Sequence, residues 1–250
     1  MNNVRTVSDT KRAFYGAFNR PITTVYRRVV EELMVEMHLL SVSTDFVYDA
    51  LYALGIVTTF DRFMDGYRPE EDRDLIFNGL CEAIEASPSQ YRADADALLA
   101  SLEGLTSDRL KQILTTPADA TGDGFPSLIK EIAQRDRFKY SRAFGVGLYR
   151  VIEKVGPDLT QDKDKLMALL KEACEALPIS FDKLQKDVEL YRSNLDKLVQ
   201  AKAVMADILA ADRKKREERA QALAEKAQDK PSDAASDTVT TPPSDTPDEA

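Results

Sequence analysis

The sequence has few of the residues from which catalytic and metal sites are usually built. It contains one histidine, two cysteines and no tryptophan. His38 alone cannot supply a two-histidine zinc site, and the residue three positions before it is Val35, so a Glu-x-x-His iron motif is also missing. Cys81 and Cys174 form no Cys-x-x-Cys pair, which is typical of two buried thiols in a reducing compartment. We therefore expect no metal, no cofactor and no enzymatic activity.

Long apolar runs are also absent from the sequence. No stretch approaches the ~18 consecutive apolar residues that a membrane-spanning helix needs, and the first twenty residues lack the continuous apolar region of a secretory signal. At 43% hydrophobic and 31% charged residues, a chain of 250 residues can bury a core in one large domain or two small ones. The composition thus predicts a globular protein that remains in the compartment where it is made.

Two motifs that resemble ligand sites are incomplete. Residues 119–124 are similar to the start of an EF-hand loop, but the twelfth position is Lys130 instead of a bidentate glutamate, so we do not expect calcium binding. Gly145 and Gly147 could begin a dinucleotide-binding fingerprint, but Arg150 occupies the third glycine position and no strand pattern precedes them. Neither run therefore indicates a bound ligand.

Helical periodicity runs through most of the chain, and it is clearest in residues 10–66. An apolar stripe in steps of four predicts a helix from about Thr24 to Leu40. A third helix is expected to end at Gly55, and a brief fourth to begin at Thr58 or Thr59. No alternation of apolar and polar residues is long enough to predict a strand. The predicted fold is all-α, a multi-helix globular bundle with a long C-terminal coiled-coil-like helix and a disordered tail.

The C-terminal quarter predicts that long helix, because no helix breaker follows Ser180 until Pro231. Apolar residues there recur in alternating steps of three and four, with only Lys202 polar, which is the rhythm of a coiled-coil seam. The candidate seam residues are Phe181, Leu184, Val188, Tyr191, Leu195, Leu198, Met205 and Leu209. The seam can pack on the chain's own helices or on a partner. We expect a globular domain over 1–179, the long helix over 180–230 and a disordered tail over 231–250.

The charge is unevenly distributed along the chain. The net charge is −9, yet the first thirty residues hold six basic residues and one acidic residue. Basic and aromatic residues in this segment form a candidate partner or membrane surface: Lys11, Arg12, Tyr15, Arg20, Arg27 and Arg28. A competing interpretation is that Arg27 and Arg28 pair with Glu31 and Glu32 four residues later, on an ordinary solvated helix face.

Three runs of sequence carry a resemblance to a known family. They are TVSDTKRAFYGAFNRPITTVYRRVVEELMVEMHLL, YDALYALGIVTTFDRFMDGYRPEEDRD and FKYSRAFGVGLYRVIE. These runs resemble the signature of the thylakoid formation family, the photosystem II biogenesis proteins of cyanobacteria and plant plastids. The resemblance covers roughly residues 4–200.

The resemblance implies a non-catalytic accessory protein for photosystem II biogenesis and repair. Such a protein would act at the thylakoid membrane by associating with and supporting the FtsH-type protease complex, and photosystem II assembly or repair complexes are a second class of expected partner. No Arg- and Ser-rich leader precedes the signature, which predicts a cyanobacterial-type member. The expected location is the cyanobacterial cytoplasm, with peripheral attachment to the thylakoid membrane.

A second class of function remains open on the sequence alone. The basic N-terminal segment could serve a helical regulatory adaptor or a nucleic-acid-binding module. A pI near 4.9 and the absence of a recognised nucleic-acid-binding module disfavour nucleic acid, so we expect no nucleic-acid partner.

Overall fold

The computed structural model of the chain describes residues 5–228, with the side chains of 205, 206, 209 and 220–228 excepted. Every regular element in the described range is helical, which confirms the predicted all-α class. The helices are α1 (Val7–Ala17), α2 (Thr24–Ser41), α3 (Ala50–Phe63), α4 (Asp72–Glu82), α5 (Pro88–Ala100), α6 (Ser107–Thr115), α7 (Phe125–Ala133), α8 (Arg142–Val155), α9 (Pro157–Gln161), α10 (Lys163–Ala176) and α11 (Phe181–Gln228). A short 3₁₀ turn, Pro117–Asp119, precedes α7.

Side-chain caps fix the starts of α1 and α3. Thr6 and Asp9 form a capping box at α1, in which the Asp9 N–H donates to Thr6 Oγ1 at 3.2 Å and the Thr6 N–H donates to Asp9 Oδ2 at 3.0 Å. At α3 the carboxylate of Asp49 accepts the N–H of Tyr52 at 2.9 Å. These caps satisfy N–H groups that have no partner within their own helix.

The centre of the fold is the crossing of α3 and α8, and it corrects a prediction. A Cβ added at Gly55 would lie 1.7 Å from the carbonyl oxygen of Ala143, and one added at Gly147 would lie 2.0 Å from that of Leu51. Only glycine permits such a close backbone approach. Gly55 is therefore buried inside α3 and does not end a helix, so the two short helices predicted over this stretch form one helix from Ala50 to Phe63.

A continuous apolar core joins residues from α1 to the beginning of α11. Its largest fully buried side chains are aromatic or long aliphatic, and they come from segments that are distant in sequence. They include Phe14, Met34, Met37, Tyr52, Phe60, Tyr67, Phe77, Phe125 and Phe144. Burial of this apolar surface is the main favourable contribution to folding.

The chain divides into two compact units, Met1–Val199 and Gln200–Ala250. The first unit includes the start of α11, whereas the sequence places a boundary at 179/180. Leu184 and Val188 are fully buried in this unit and Tyr191 is 4% exposed. Of the remaining seam residues, Phe181, Leu195 and Leu198 are half-buried. The side chains of Met205 and Leu209 and the predicted tail over 231–250 lie outside the described residues.

Candidate partner surfaces

The basic residues of the first thirty positions are largely paired with carboxylates. Lys11 on α1 lies 3.2 Å from Glu31 on α2, and Arg28 pairs with Glu32 at 2.9 Å. Arg12 lies 3.4 Å from Asp9, which is one helical turn away. The i,i+4 pair that the sequence indicates at Arg28 is therefore present. Each of these ion pairs reduces the positive potential that the segment presents to solvent.

Two further members of the predicted basic surface have structural roles. Arg20 forms an ion pair with Asp72, whose side chain is only 3% exposed, and so ties the segment between α1 and α2 to the start of α4. Tyr15 is half-buried against Phe14, with ring centroids 5.1 Å apart, and its hydroxyl lies 3.4 Å from Glu31. Burial and then the charge of Glu31 raise the pKa of Tyr15, so its hydroxyl stays protonated.

Arg27 differs from the other basic residues of this segment. It is exposed on α2, and no described residue forms an ion pair with it. Glu31, its predicted i,i+4 partner, instead contacts Lys11 and Tyr15. The structure thus brings Lys11 and Tyr15 together around one carboxylate and leaves Arg27 on the same face without a described ion-pair partner.

A groove of about 700 Å³ between α2 and the start of α11 is a second candidate surface. Val35 and Leu39 line it from α2, and Leu190 lines it from α11. All three are large aliphatic side chains, yet they are 39%, 56% and 46% exposed, respectively. Sequence analysis missed this groove, because the α11 side of it can be placed only in three dimensions. The signal that was available is the i,i+4 pair Val35 and Leu39, which lies outside the main apolar stripe of α2.

Hydrogen bonds hold most of the charged side chains that line this groove. Glu36 accepts from the side chain of Arg142 at 3.1 and 3.2 Å and from the Ala143 N–H at 2.8 Å. Asp187 on α11 accepts from the hydroxyl of Tyr140 at 3.0 Å. Glu36 therefore connects α2 to the start of α8 instead of facing water.

A polar cluster attaches α11 to α3 and α8. Arg62 donates to Glu153 at 3.2 Å and to the hydroxyl oxygen of Tyr191 at 3.1 Å, and Arg150 donates to Glu153 at 2.7 Å. Burial raises the pKa of Glu153, but the hydrogen bonds and charges of Arg62 and Arg150 outweigh it and hold the pKa below its ordinary value of 4.5. Burial raises the pKa of Tyr191 to about 12. The guanidinium of Arg62 thus donates both to the neutral hydroxyl of Tyr191 and to the ionised carboxylate of Glu153.

The histidine and the cysteines are placed as structural residues. His38 is 3% exposed, and its Nδ1 lies 2.8 Å from the hydroxyl of Thr10, which is fully buried. Burial raises the pKa of Cys81 to about 12 and that of Cys174 to about 11, and both thiols are free. Thiols with such values are protonated at neutral pH and are weak nucleophiles. Within the described residues, no group of three potential metal ligands converges on one point.

The length and apolarity of the helices bear on whether the chain could span a membrane. No helix in the described part of the chain is both long enough and apolar enough to cross a bilayer. Together, these observations define an all-α protein whose distinctive surface features are ion-paired basic residues on its N-terminal segment and a groove with exposed aliphatic side chains.

Comparisons with known proteins identify the family. A family model described as "Thylakoid formation protein" matches residues 6–220, and the chain belongs to this family. Protein Thf1 of Nostoc punctiforme is 56% identical over 88% of this chain and 94% of its own length. Protein Thf1 of Crocosphaera subtropica is 54% identical over 86% of this chain and 88% of its own length. A solved structure of Psb29 has a TM-score of 0.73 and 43% identity, and covers 85% of this chain and 98% of that chain.

Proposed function

We propose that this protein is a non-catalytic accessory protein for photosystem II biogenesis and repair. It acts at the thylakoid membrane by associating with and supporting an FtsH-type protease complex. The observation that carries the proposal is the family match over residues 6–220, together with the coverage of nearly the whole Psb29 chain. The family match extends over nearly all of the unit Met1–Val199 and is not confined to one motif.

The environment of the reactive side chains supports a role without catalysis. The single histidine is engaged by Thr10 in the core, where a substrate has no access to it. Burial of both cysteines keeps their thiols protonated. The single histidine and both cysteines are therefore committed to packing and do not offer a base or a thiolate nucleophile to a substrate.

Attachment to the membrane is, in this proposal, peripheral and mediated by protein contacts. The ion pairs of Lys11, Arg12, Arg20 and Arg28 compensate much of the charge that would otherwise attract anionic headgroups. A salt or carbonate wash of thylakoid membranes should release the protein. Release by detergent alone would contradict peripheral attachment.

The experiment is a pull-down of tagged protein from solubilised thylakoid membranes, with the protease subunits detected by antibody. A variant carrying Lys11→Glu and Arg27→Glu tests the basic surface on α1 and α2. A variant carrying Lys111→Glu and Lys171→Glu is the matched control, because it changes the charge equally at exposed positions elsewhere. We expect recovery of the protease with wild type and control. Failure of the wild-type protein to recover the protease would refute the proposed association.

A further inference from the structure

We propose that the groove between α2 and α11 binds one amphipathic helix of another protein. The bound helix carries aliphatic residues at i, i+3 or i+4, and i+7, with a lysine or arginine at one end of that stripe. This inference goes beyond the proposed function, because it assigns a surface and a ligand chemistry without depending on the protease or on photosystem II.

The apolar side chains of the groove are arranged as a helix-binding surface. Val35 and Leu39 are one helical turn apart on α2, Leu190 faces the same groove from α11, and Leu40, which is 5% exposed, also lines it. A groove between two helices that exposes aliphatic side chains accepts a third helix through its i, i+3, i+4 and i+7 residues. The three exposed side chains are the contacts that such a helix would cover.

The charges of the groove specify a cation on the bound helix. Glu32 pairs with Arg28 at 2.9 Å and Glu36 pairs with Arg142 at 3.1 Å. Asp187 differs, because its one described partner is the hydroxyl of Tyr140, and no described residue forms an ion pair with it. A carboxylate beside apolar surface with no cation of its own complements a lysine or arginine from the partner.

A hydrogen bond from Tyr140 positions the carboxylate of Asp187, and Gly145 leaves the space for it. A Cβ added at Gly145 would lie 2.6 Å from the Tyr140 hydroxyl and 3.1 Å from Cδ1 of Leu184. The absence of a side chain at Gly145 therefore leaves room for the Tyr140 hydroxyl to reach Asp187. The carboxylate is held at the groove by a neutral hydrogen bond, so its charge remains available to a ligand.

Other occupants fit this groove less well. Residues 231–250 of the same chain contain five acidic residues, four prolines and no basic residue, so they offer neither an apolar helix nor a cation. A second copy that docked through the same groove would bring equivalent Asp187 carboxylates towards each other. The complement of the groove is thus a helix of different composition.

The test uses a labelled synthetic peptide of about 18 residues, which spans roughly 27 Å as a helix. It carries leucines along one face and a lysine at each end of that face, and its binding to the full chain is followed by fluorescence anisotropy. We expect Leu39→Glu and Leu190→Glu each to weaken binding by at least about tenfold. Leu75→Glu on α4 is the matched control, because Leu75 is also 46% exposed but lies outside the groove, and it should leave binding unchanged.

The charge is tested by Asp187→Asn, which removes the charge and keeps an oxygen that can accept from Tyr140. It should weaken binding of the lysine peptide by roughly two- to fivefold at low salt. Binding of a peptide with glutamine at the same positions should not change. The thermal unfolding of every variant is measured alongside, and a groove variant that unfolds at the wild-type temperature yet loses binding supports the proposal.

Three results would overturn the inference. One is equal binding of a peptide with the same composition in scrambled order. Another is wild-type affinity in both Leu39→Glu and Leu190→Glu. The third is sedimentation of the wild-type chain as a dimer that Leu39→Glu converts to a monomer, because the occupant would then be a second copy. None of these results depends on recovery of the protease from membranes, so they leave the proposed function to its own test.

Discussion

Gly55 and Gly147 determine how closely α3 and α8 approach each other. Each faces a backbone carbonyl of the other helix, so a side chain at either position would have to separate the two backbones. Neither helix can move freely, because most residues of α3 and α8 are buried. Tightly packed interiors respond to added volume with strain.

We therefore predict that Gly55→Ala destabilises the protein by about 3 kcal/mol. Gly16→Ala on α1 is the matched control, because nothing lies within 4 Å of a Cβ added there. Alanine has a higher helix propensity than glycine, so the control should stabilise the protein by up to about 1 kcal/mol. Urea unfolding followed by circular dichroism measures both values. Equal stability of the two variants would contradict the close contact at Gly55.

The ionisation of Glu153 makes the free energy of unfolding depend on pH in the acid range. Its pKa in the folded protein is held below 4.5, so the ionised form contributes stability at pH values above the unfolded pKa. That contribution is lost as the pH falls through the lowered folded value. We predict that Glu153→Gln costs about 1.5 kcal/mol near neutral pH and much less near pH 3.

Urea unfolding at the two pH values tests this prediction. Glu172→Gln, at an exposed position of α10, serves as the control and should change stability by less than about 0.5 kcal/mol at either pH. A cost of Glu153→Gln that is the same at both pH values would show that the lowered pKa makes no contribution.

At the scale of the helices, local patterns predict α2 well and α3 poorly. The apolar stripe predicts a helix from Thr24 to about Leu40, and α2 runs from Thr24 to Ser41. In α3, Gly55 looks like a helix end in the sequence, because a capping glycine and a packing glycine are the same residue. Only the crossing with α8 distinguishes them, and α8 is formed by residues almost ninety positions later.

Local sequence patterns also predict the candidate surfaces only in part. The basic residues of the first thirty positions are visible in the sequence, but it is the fold that brings Glu85 to Arg5, Glu31 to Lys11 and Asp72 to Arg20. The groove requires Leu190 of α11 beside Val35 and Leu39 of α2. Spacing along one helix cannot show that a second helix exposes its own aliphatic residue at the same place.

The two ends of α11 should respond differently to truncation. Removing the chain from Ser180 onward eliminates the buried side chains of Leu184, Val188 and Tyr191, and each contributes about 1.5 to 3 kcal/mol. A domain with only ~5 to 15 kcal/mol of stability should then lose cooperative unfolding. Removing the chain after Asp212 takes away described side chains that are all exposed, so the midpoint of thermal unfolding should barely change.

Circular dichroism melting curves of the two truncated proteins check this prediction. A cooperative transition in the shorter protein would mean that the seam residues contribute little to the core. If the segment after Asp212 contributes to protease association, the longer protein should fold normally and recover less protease in the pull-down.

At the scale of the whole molecule, the ion pairs of the N-terminal basic residues limit the attraction of the protein to anionic lipid. The net charge is −9, and most of the basic residues at the N-terminus face a carboxylate. We predict that anionic vesicles retain little of the wild-type protein at about 0.15 M salt. The double substitution Glu31→Gln and Glu32→Gln frees the cations of Lys11 and Arg28 and should increase retention in a vesicle sedimentation assay.

The matched control is Glu172→Gln with Glu175→Gln, which changes the net charge equally on exposed positions of α10. It should leave retention at the wild-type level. Strong retention of the wild-type protein that disappears in high salt would instead assign lipid binding to the existing N-terminal surface.

The contact between His38 and Thr10 has a spectroscopic consequence. Because the chain contains a single histidine, an ¹H–¹⁵N spectrum of its imidazole ring holds the signals of one residue and needs no assignment. Those signals show which tautomer is present, and hence whether Nδ1 donates to the Thr10 hydroxyl or accepts from it. Separation of α1 from α2, for example when a partner binds, would expose the ring and give a second set of imidazole signals. The chain therefore carries a natural reporter of whether its N-terminal helix stays docked.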